Sequence, residues 1–179
     1  MKALVVYESL FGNTEKVAQA IADGLSEHGE VELLEVTKTR EVTPEHLDLL
    51  VVGGPTHGFS MTRPTTREEA VSRGASHGST TFGLREWLDQ LHKGRHSELV
   101  ATFDTRVSKV RHLPGSAAKG AAKIARGLGY SSAAQAESFY VEDVGGPLLE
   151  GELGRAQDWG AWLGTQSSIP GVDRAKPGR

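Results

Sequence analysis

The sequence predicts an α/β domain in which a mainly parallel sheet carries helices on both faces, and three observations predict it. Short apolar, β-branched runs alternate with segments of helical period along the chain. Two of those runs, Leu4 to Tyr7 and Leu47 to Val52, are almost continuously apolar, as strands covered on both faces are. Three of the runs end abruptly in polar or glycine-rich turns, at Glu8, at Gly53 and at Asp104.

The first run passes through a polar turn, Ser9-Leu10-Phe11-Gly12-Asn13-Thr14, into a helix with Val17, Ala18, Ile21, Ala22 and Leu25 on one face. His28-Gly29 stops that helix. Val31 to Val36 reads as a second, half-exposed strand, and Thr43-Pro44-Glu45 as a cap opening one short helical turn. Leu47 to Gly54 is the third strand. Pro55 to Thr62 is expected as a loop, and Arg63 to Phe82 as a polar insertion with little periodicity. Leu84, Trp87, Leu88 and Leu91 then mark a firm amphipathic helix. Leu99 to Phe103 is the fourth strand, running into the turn Asp104-Thr105-Arg106. Pro114 opens a helix whose alanines, from Ala117 to Ala125, allow close packing on the sheet. Ala136 to Val141 is the fifth strand. Leu153, Ala156, Gly160 and Leu163 mark a last helix bearing Trp159 and Trp162. Residues 1–165 are expected to form one domain and 166–179 a flexible tail.

Bulk composition narrows the function classes. The 179 residues contain 37% hydrophobic and 24% charged side chains, with a net charge of −3. That size suits one well-buried domain. The charge gives no electrostatic case for nucleic acid as the main partner. No apolar run approaches a membrane span of about 20 residues, and the start shows no signal-peptide layout. There is no cysteine for a disulfide, a thiolate metal site or a nucleophile. No metal site is expected from the histidines, and no Gly-x-Ser-x-Gly turn signals a catalytic serine. A cytoplasmic location is the economical expectation.

The first turn carries the sharpest signal. It offers the hydroxyls of Ser9 and Thr14, the amide of Asn13, and Gly12 for close backbone approach, all at a helix N-terminus whose N–H groups and dipole suit a phosphate. No lysine precedes Thr14, so it is not a P-loop, and the Gly-x-Gly-x-x-Gly dinucleotide fingerprint is absent. An ordinary polar cap on a strand-to-helix turn is the plain alternative.

This turn resembles that of the flavodoxins, which reads Ser/Thr-x-Ser/Thr-Gly-x-Thr; Ser9, Gly12 and Thr14 match and Phe11 replaces the middle hydroxyl. The resemblance spans roughly Lys2 to Leu163. It implies a three-layer sandwich with a five-stranded parallel sheet in the order 2-1-3-4-5, and FMN held outside the strands' C-terminal ends. Residues 9–14 would take the flavin phosphate. The loop Pro55-Thr56-His57-Gly58-Phe59, which matches the family's Gly-x-Pro-Thr opening, and the turn Asp104-Thr105-Arg106 would meet the isoalloxazine ring. Phe59 is the expected ring neighbour, or else an anchor into the core. His57 is a second contact or an exposed loop residue. Arg106 either favours a reduced, anionic flavin or pairs with Asp104 or Glu142.

The implied function is one- or two-electron flavin redox cycling, as an electron-transfer protein or small oxidoreductase. A redox partner protein or a small-molecule acceptor would complete the cycle, and no catalytic side chain is required. Two departures keep a second reading open, a flavodoxin-fold module without flavin: Phe11, and a third loop whose only aromatic up to Leu113 is His112. The insertion from Arg63 to Phe82 is then a partner surface; otherwise it is a flap over the ring, with Arg63, Arg67 and Arg73 near the ligand, or a passive loop.

Overall fold

A computed structural model describes residues 1–41 and 46–167 of the chain. The expected turn at Thr43-Pro44-Glu45 lies outside the described residues, as does the expected tail from residue 168 onward. The chain runs β1 (Lys2–Tyr7), α1 (Asn13–Ser26), β2 (Glu30–Glu35), β3 (Leu49–His57), β4 (Ser60–Met61), α2 (Pro64–Ser72) and α3 (Leu84–Gln90). It continues with β5 (Leu99–Val107), α4 (Ala117–Leu128), β6 (Ser131–Ser132), β7 (Glu137–Val141) and α5 (Glu152–Ser167). The parallel order is β2-β1-β3-β5, and β6 and β7 share the place beyond β5. Seven strands therefore replace the expected five. The fifth is split into β6 and β7 around residues 133–136, and β4 folds back antiparallel on the end of β3.

The continuous apolar runs are explained by their two covers. Along β1, Ala3, Val5 and Tyr7 enter the core under α1 and α5, while Leu4 and Val6 enter the core under α3 and α4. Burial on both faces removes the alternation that a half-exposed strand shows. Phe103, Phe139 and Trp159 meet edge to face in the first core, which places Trp159 in packing. In the second core Ala117, Ala121 and Ala125 are fully covered, so α4 lies close on the sheet as their size suggested. The helices α1 and α5 touch through glycine. A Cβ on Gly160 would stand 2.2 Å from the Ile21 carbonyl oxygen, and one on Gly24 would stand 2.0 Å from that of Gln157. No helix among the described residues is long and apolar enough to cross a membrane.

Two expected loops are strand. β3 extends to His57 and β5 to Val107, paired through Gly54 with Asp104 and Pro55 with Thr105. The polarity that suggested loops belongs to side chains at the sheet's C-terminal edge. Residues 63–82 also differ from the expected irregular insertion. Pro64 occupies the first turn of α2, where its missing N–H is harmless. Arg67 on that helix is fully buried.

Candidate ligand cavity

The C-terminal ends of β1, β3, β5 and β7 surround a cavity of about 280 Å³. In loop 1, Gly12 takes φ 82, a left-handed value that favours glycine, and turns the chain into α1. The Ser9 hydroxyl oxygen accepts from the N–H groups of Gly12 (3.1 Å) and Glu15 (3.3 Å), so Ser9 shapes the loop from inside. Leu10, Phe11, Asn13 and Thr14 face the cavity, whereas Ser9 and Gly12 do not. Thr14 and Thr105 join loop 1 to β5 through a 2.7 Å hydroxyl–hydroxyl bond. The Asn13 side-chain amide donates to the Gly145 carbonyl at 3.1 Å, tying loop 1 to the segment after β7.

The second expected segment lines the cavity entirely, from Pro55 to Phe59. Gly58 (φ 56) and Phe59 (φ 60) form the two-residue turn between β3 and β4, with both φ values positive as an I′ hairpin turn needs. A phenylalanine held left-handed is strained, and strain of this kind, about 1–3 kcal/mol, concentrates at ligand sites. Phe59 is also 46% exposed, so it is a lip of the cavity and not an anchor in the core. His57 is half-buried, which excludes the exposed-loop reading. Burial pushes its pKa below the usual histidine value, against the opposing hydrogen bond to the Thr66 backbone and the charge of Glu69.

The third expected turn divides. Thr105 and Arg106 line the cavity, and Asp104 does not. Asp104 is fully buried, and its carboxylate accepts from the Ala118 N–H at 2.9 Å, at the start of α4. The helix N-terminus supplies a donor to Oδ2, while Oδ1 is buried without a partner. Arg106 pairs with neither Asp104 nor Glu142. Its guanidinium donates to the carbonyls of Val110 (2.8 Å) and Leu113 (3.2 Å), and its Nε is buried with no partner. A buried guanidinium without a carboxylate of its own is costly.

Of the three arginines between positions 63 and 82, only Arg73 reaches the cavity, paired with Glu69 at 2.5 Å. Arg67 instead bonds the Thr62 hydroxyl (3.0 Å), the Thr80 carbonyl (3.1 Å) and Glu86 (2.9 Å), with Glu8 at 3.8 Å. Burial pushes the Glu8 carboxyl up, while its bonds from Thr62 and Leu84 and the charge of Arg67 pull it down less strongly. Arg67 thereby pins residues 75–80 behind loop 1. The His77 N–H donates to the Leu10 carbonyl at 3.2 Å, and a Cβ on Gly78 would stand 2.9 Å from the Ser9 carbonyl oxygen. The segment is a brace for the loop.

Sequence reasoning missed the walls given by Thr66, Glu69 and Ala70 of α2 and by Val141 and Val144 after β5's neighbour β7. Pro64 followed by a run to Ser72 without glycine was the available signal for α2. Nothing local marked Val144.

In doubly wound α/β sheets, ligands bind in the crevice beyond the strands' C-terminal ends, which is where this cavity lies. Residues 5–81 match the flavodoxin family model. It superposes on an archaeal flavodoxin with TM-score 0.62 and 18% identity, covering 94% of this chain and 100% of that one. A short-chain flavodoxin associated with a non-canonical PDU bacterial microcompartment gives TM-score 0.63 and 18% identity, over 94% and 99% of the two chains. Oxidised Flavodoxin 2 from Bacillus cereus gives 0.61 and 15%, over 93% and 99%. These likenesses establish the fold. No curated protein sequence matches the chain.

Proposed function

We propose that this protein binds FMN in the cavity and works in electron transfer, as flavodoxins do. The observation that carries the reading is the convergence of Thr14, Thr105 and the Arg106 guanidinium, whose Nε is buried without a partner, on one cavity at the sheet's C-terminal edge. The donor set fits the group. Thr14, the Asn13 side-chain amide and the N–H groups of Asn13 and Thr14 at the start of α1 are donors for a phosphate. Phe11 and Phe59 provide aromatic surface for a flat ring, with Val144 as a further apolar wall. Arg106 brings a positive charge that favours an anion in the cavity.

Bound FMN supplies one- and two-electron redox chemistry. The residues around it bind, orient and set the local charge, and none is asked to act as nucleophile or general acid. His57, held neutral by burial, is a hydrogen-bonding group at neutral pH and adds no second cation. A redox partner protein or small-molecule acceptor, an oxidoreductase role and a cytoplasmic location belong to the same reading.

The test is the visible spectrum of the purified protein followed by titration with FMN and riboflavin. Thr14→Val should weaken FMN by roughly 10- to 100-fold, the worth of one hydrogen bond to a charged group. Riboflavin, which lacks the phosphate, should change little. A colourless protein with no affinity for added FMN would sink the proposal and favour a flavin-free module.

A further inference from the structure

The chain's charge is divided along its length. Between Thr105 and Ala136 there are six Lys and Arg residues and no Asp or Glu. The remaining fourteen Lys and Arg against all twenty-three Asp and Glu leave the rest of the chain at −9. Arg106 is the one buried member of the six. The other five, Lys109, Arg111, Lys119, Lys123 and Arg126, are exposed, and none forms an ion pair among the described residues.

The fold sets Lys109, Arg111 and Lys119 beside the cavity, while Lys123 and Arg126 lie farther along α4, whose end at Leu128 bonds the Gly94 N–H ahead of β5. Lys109 and Arg111 flank Val110, which lines the cavity, and Arg106 holds that loop by the Val110 and Leu113 carbonyls. α4 begins against the Thr56 hydroxyl, itself a cavity wall, and carries Lys119, Lys123 and Arg126 along its exposed side. Between them stand two exposed apolar side chains, Phe59 and Leu113, each 46% exposed, and Gly115 packs against Phe59. Glu142 and Asp143, after β7, confine the cationic rim to the β5–α4 side.

We propose that this face docks an acidic protein electron carrier, with its carboxylates on the Lys109, Arg111 and Lys119 rim and its contact centre on Phe59 and Leu113. An apolar centre within a charged rim is the anatomy of a transient protein interface. A nucleic acid fits less well, because the rest of the chain at −9 would repel a long polyanion. The proposal rests on the FMN reading for its purpose, since the face surrounds the opening through which electrons would leave. Its charge logic stands apart from that reading.

The experiment follows binding by NMR chemical shifts of the protein as purified and again with FMN added, so that lack of flavin does not mask docking. The probes are an acidic [2Fe–2S] ferredoxin, a basic c-type cytochrome and a 12-base-pair DNA duplex. The ferredoxin should perturb amides from residues 107–119, and its affinity should fall about tenfold as salt screens the charges. Lys109→Glu with Arg111→Glu should weaken it about tenfold or more, and Lys119→Glu added to them should weaken it further. Lys2→Glu, at the opposite edge of the sheet, should leave it unchanged. Ferredoxin binding indifferent to salt and to these reversals, preference for the cytochrome, or tighter binding of the DNA lost in the same variants would each overturn the proposal.

Discussion

Replacing Arg67 with methionine tests whether α2 is a brace or a passive insertion. Arg67 is fully buried, faces Glu8, which is 1% exposed, and salt-bridges Glu86 at 2.9 Å. Removing one partner of such a group strands the other, and the expected loss is about 3–5 kcal/mol. For a chain of this size that is roughly 6–20 °C in the thermal midpoint. Glu86, partly exposed, recovers solvent, so most of the loss falls on Glu8. Its carboxyl is raised by burial above its ordinary 4.5 already, and the variant raises it further by deleting the nearest cation.

The sign follows from proton uptake. Above 4.5 and below the raised folded value, folded Glu8 holds a proton that the unfolded chain has lost. Variant stability therefore falls as pH rises through that window, and the deficit against wild type is largest above it. Urea unfolding followed by tryptophan fluorescence reads this directly, because Trp87 sits in the adjoining core. Adding Glu8→Gln to Arg67→Met should recover much of the loss at pH 7. A deficit under about 1 kcal/mol, or one that is flat with pH and not relieved by Glu8→Gln, would refute the brace.

Two further outcomes follow. His57, whose pKa burial lowers, takes up its proton in the unfolded chain first, so stability should drop as pH falls from 6.5 toward the lower folded value; His57→Gln should flatten that part of the profile in the same urea assay. Gly160→Ala puts a Cβ against the Ile21 carbonyl, so calorimetry should show a loss at or above the 1–3 kcal/mol usual for overpacking.

What the sequence made legible depended on the range of the interaction. β1 and β3 declared themselves because burial on two faces leaves an unbroken apolar run, and α4 because its alanines repeat on one side. The strand ends did not. Thr56-His57 and Asp104 to Arg106 are polar, and only the pairing of Gly54 with Asp104 and of Arg106 with Tyr140 shows that the sheet continues through them. α2 hid for a related reason. Its inward face is Arg67 and Ala70, so it has no apolar stripe, and the partners that bury its arginine stand at positions 8, 62 and 86. The split of Asp104 from its neighbours was equally invisible, since it needs the start of α4 beside it.

The two buried arginines bear on the cavity in opposite ways. Both are withdrawn from water, which disfavours a cation unless fixed negative charge or strong acceptors replace the solvent. Arg67 has that replacement in Glu8, Glu86, Thr62 and Thr80. Arg106 has only two neutral carbonyls, an orphaned Nε and an open cavity. An anion in the cavity would complete its solvation, which favours a negatively charged occupant over a neutral one of the same shape. The carbonyls of Val110 and Leu113 that hold Arg106 belong to the loop carrying Lys109 and Arg111. The buried charge at the cavity and the exposed charges on this loop are therefore tied together by one set of hydrogen bonds.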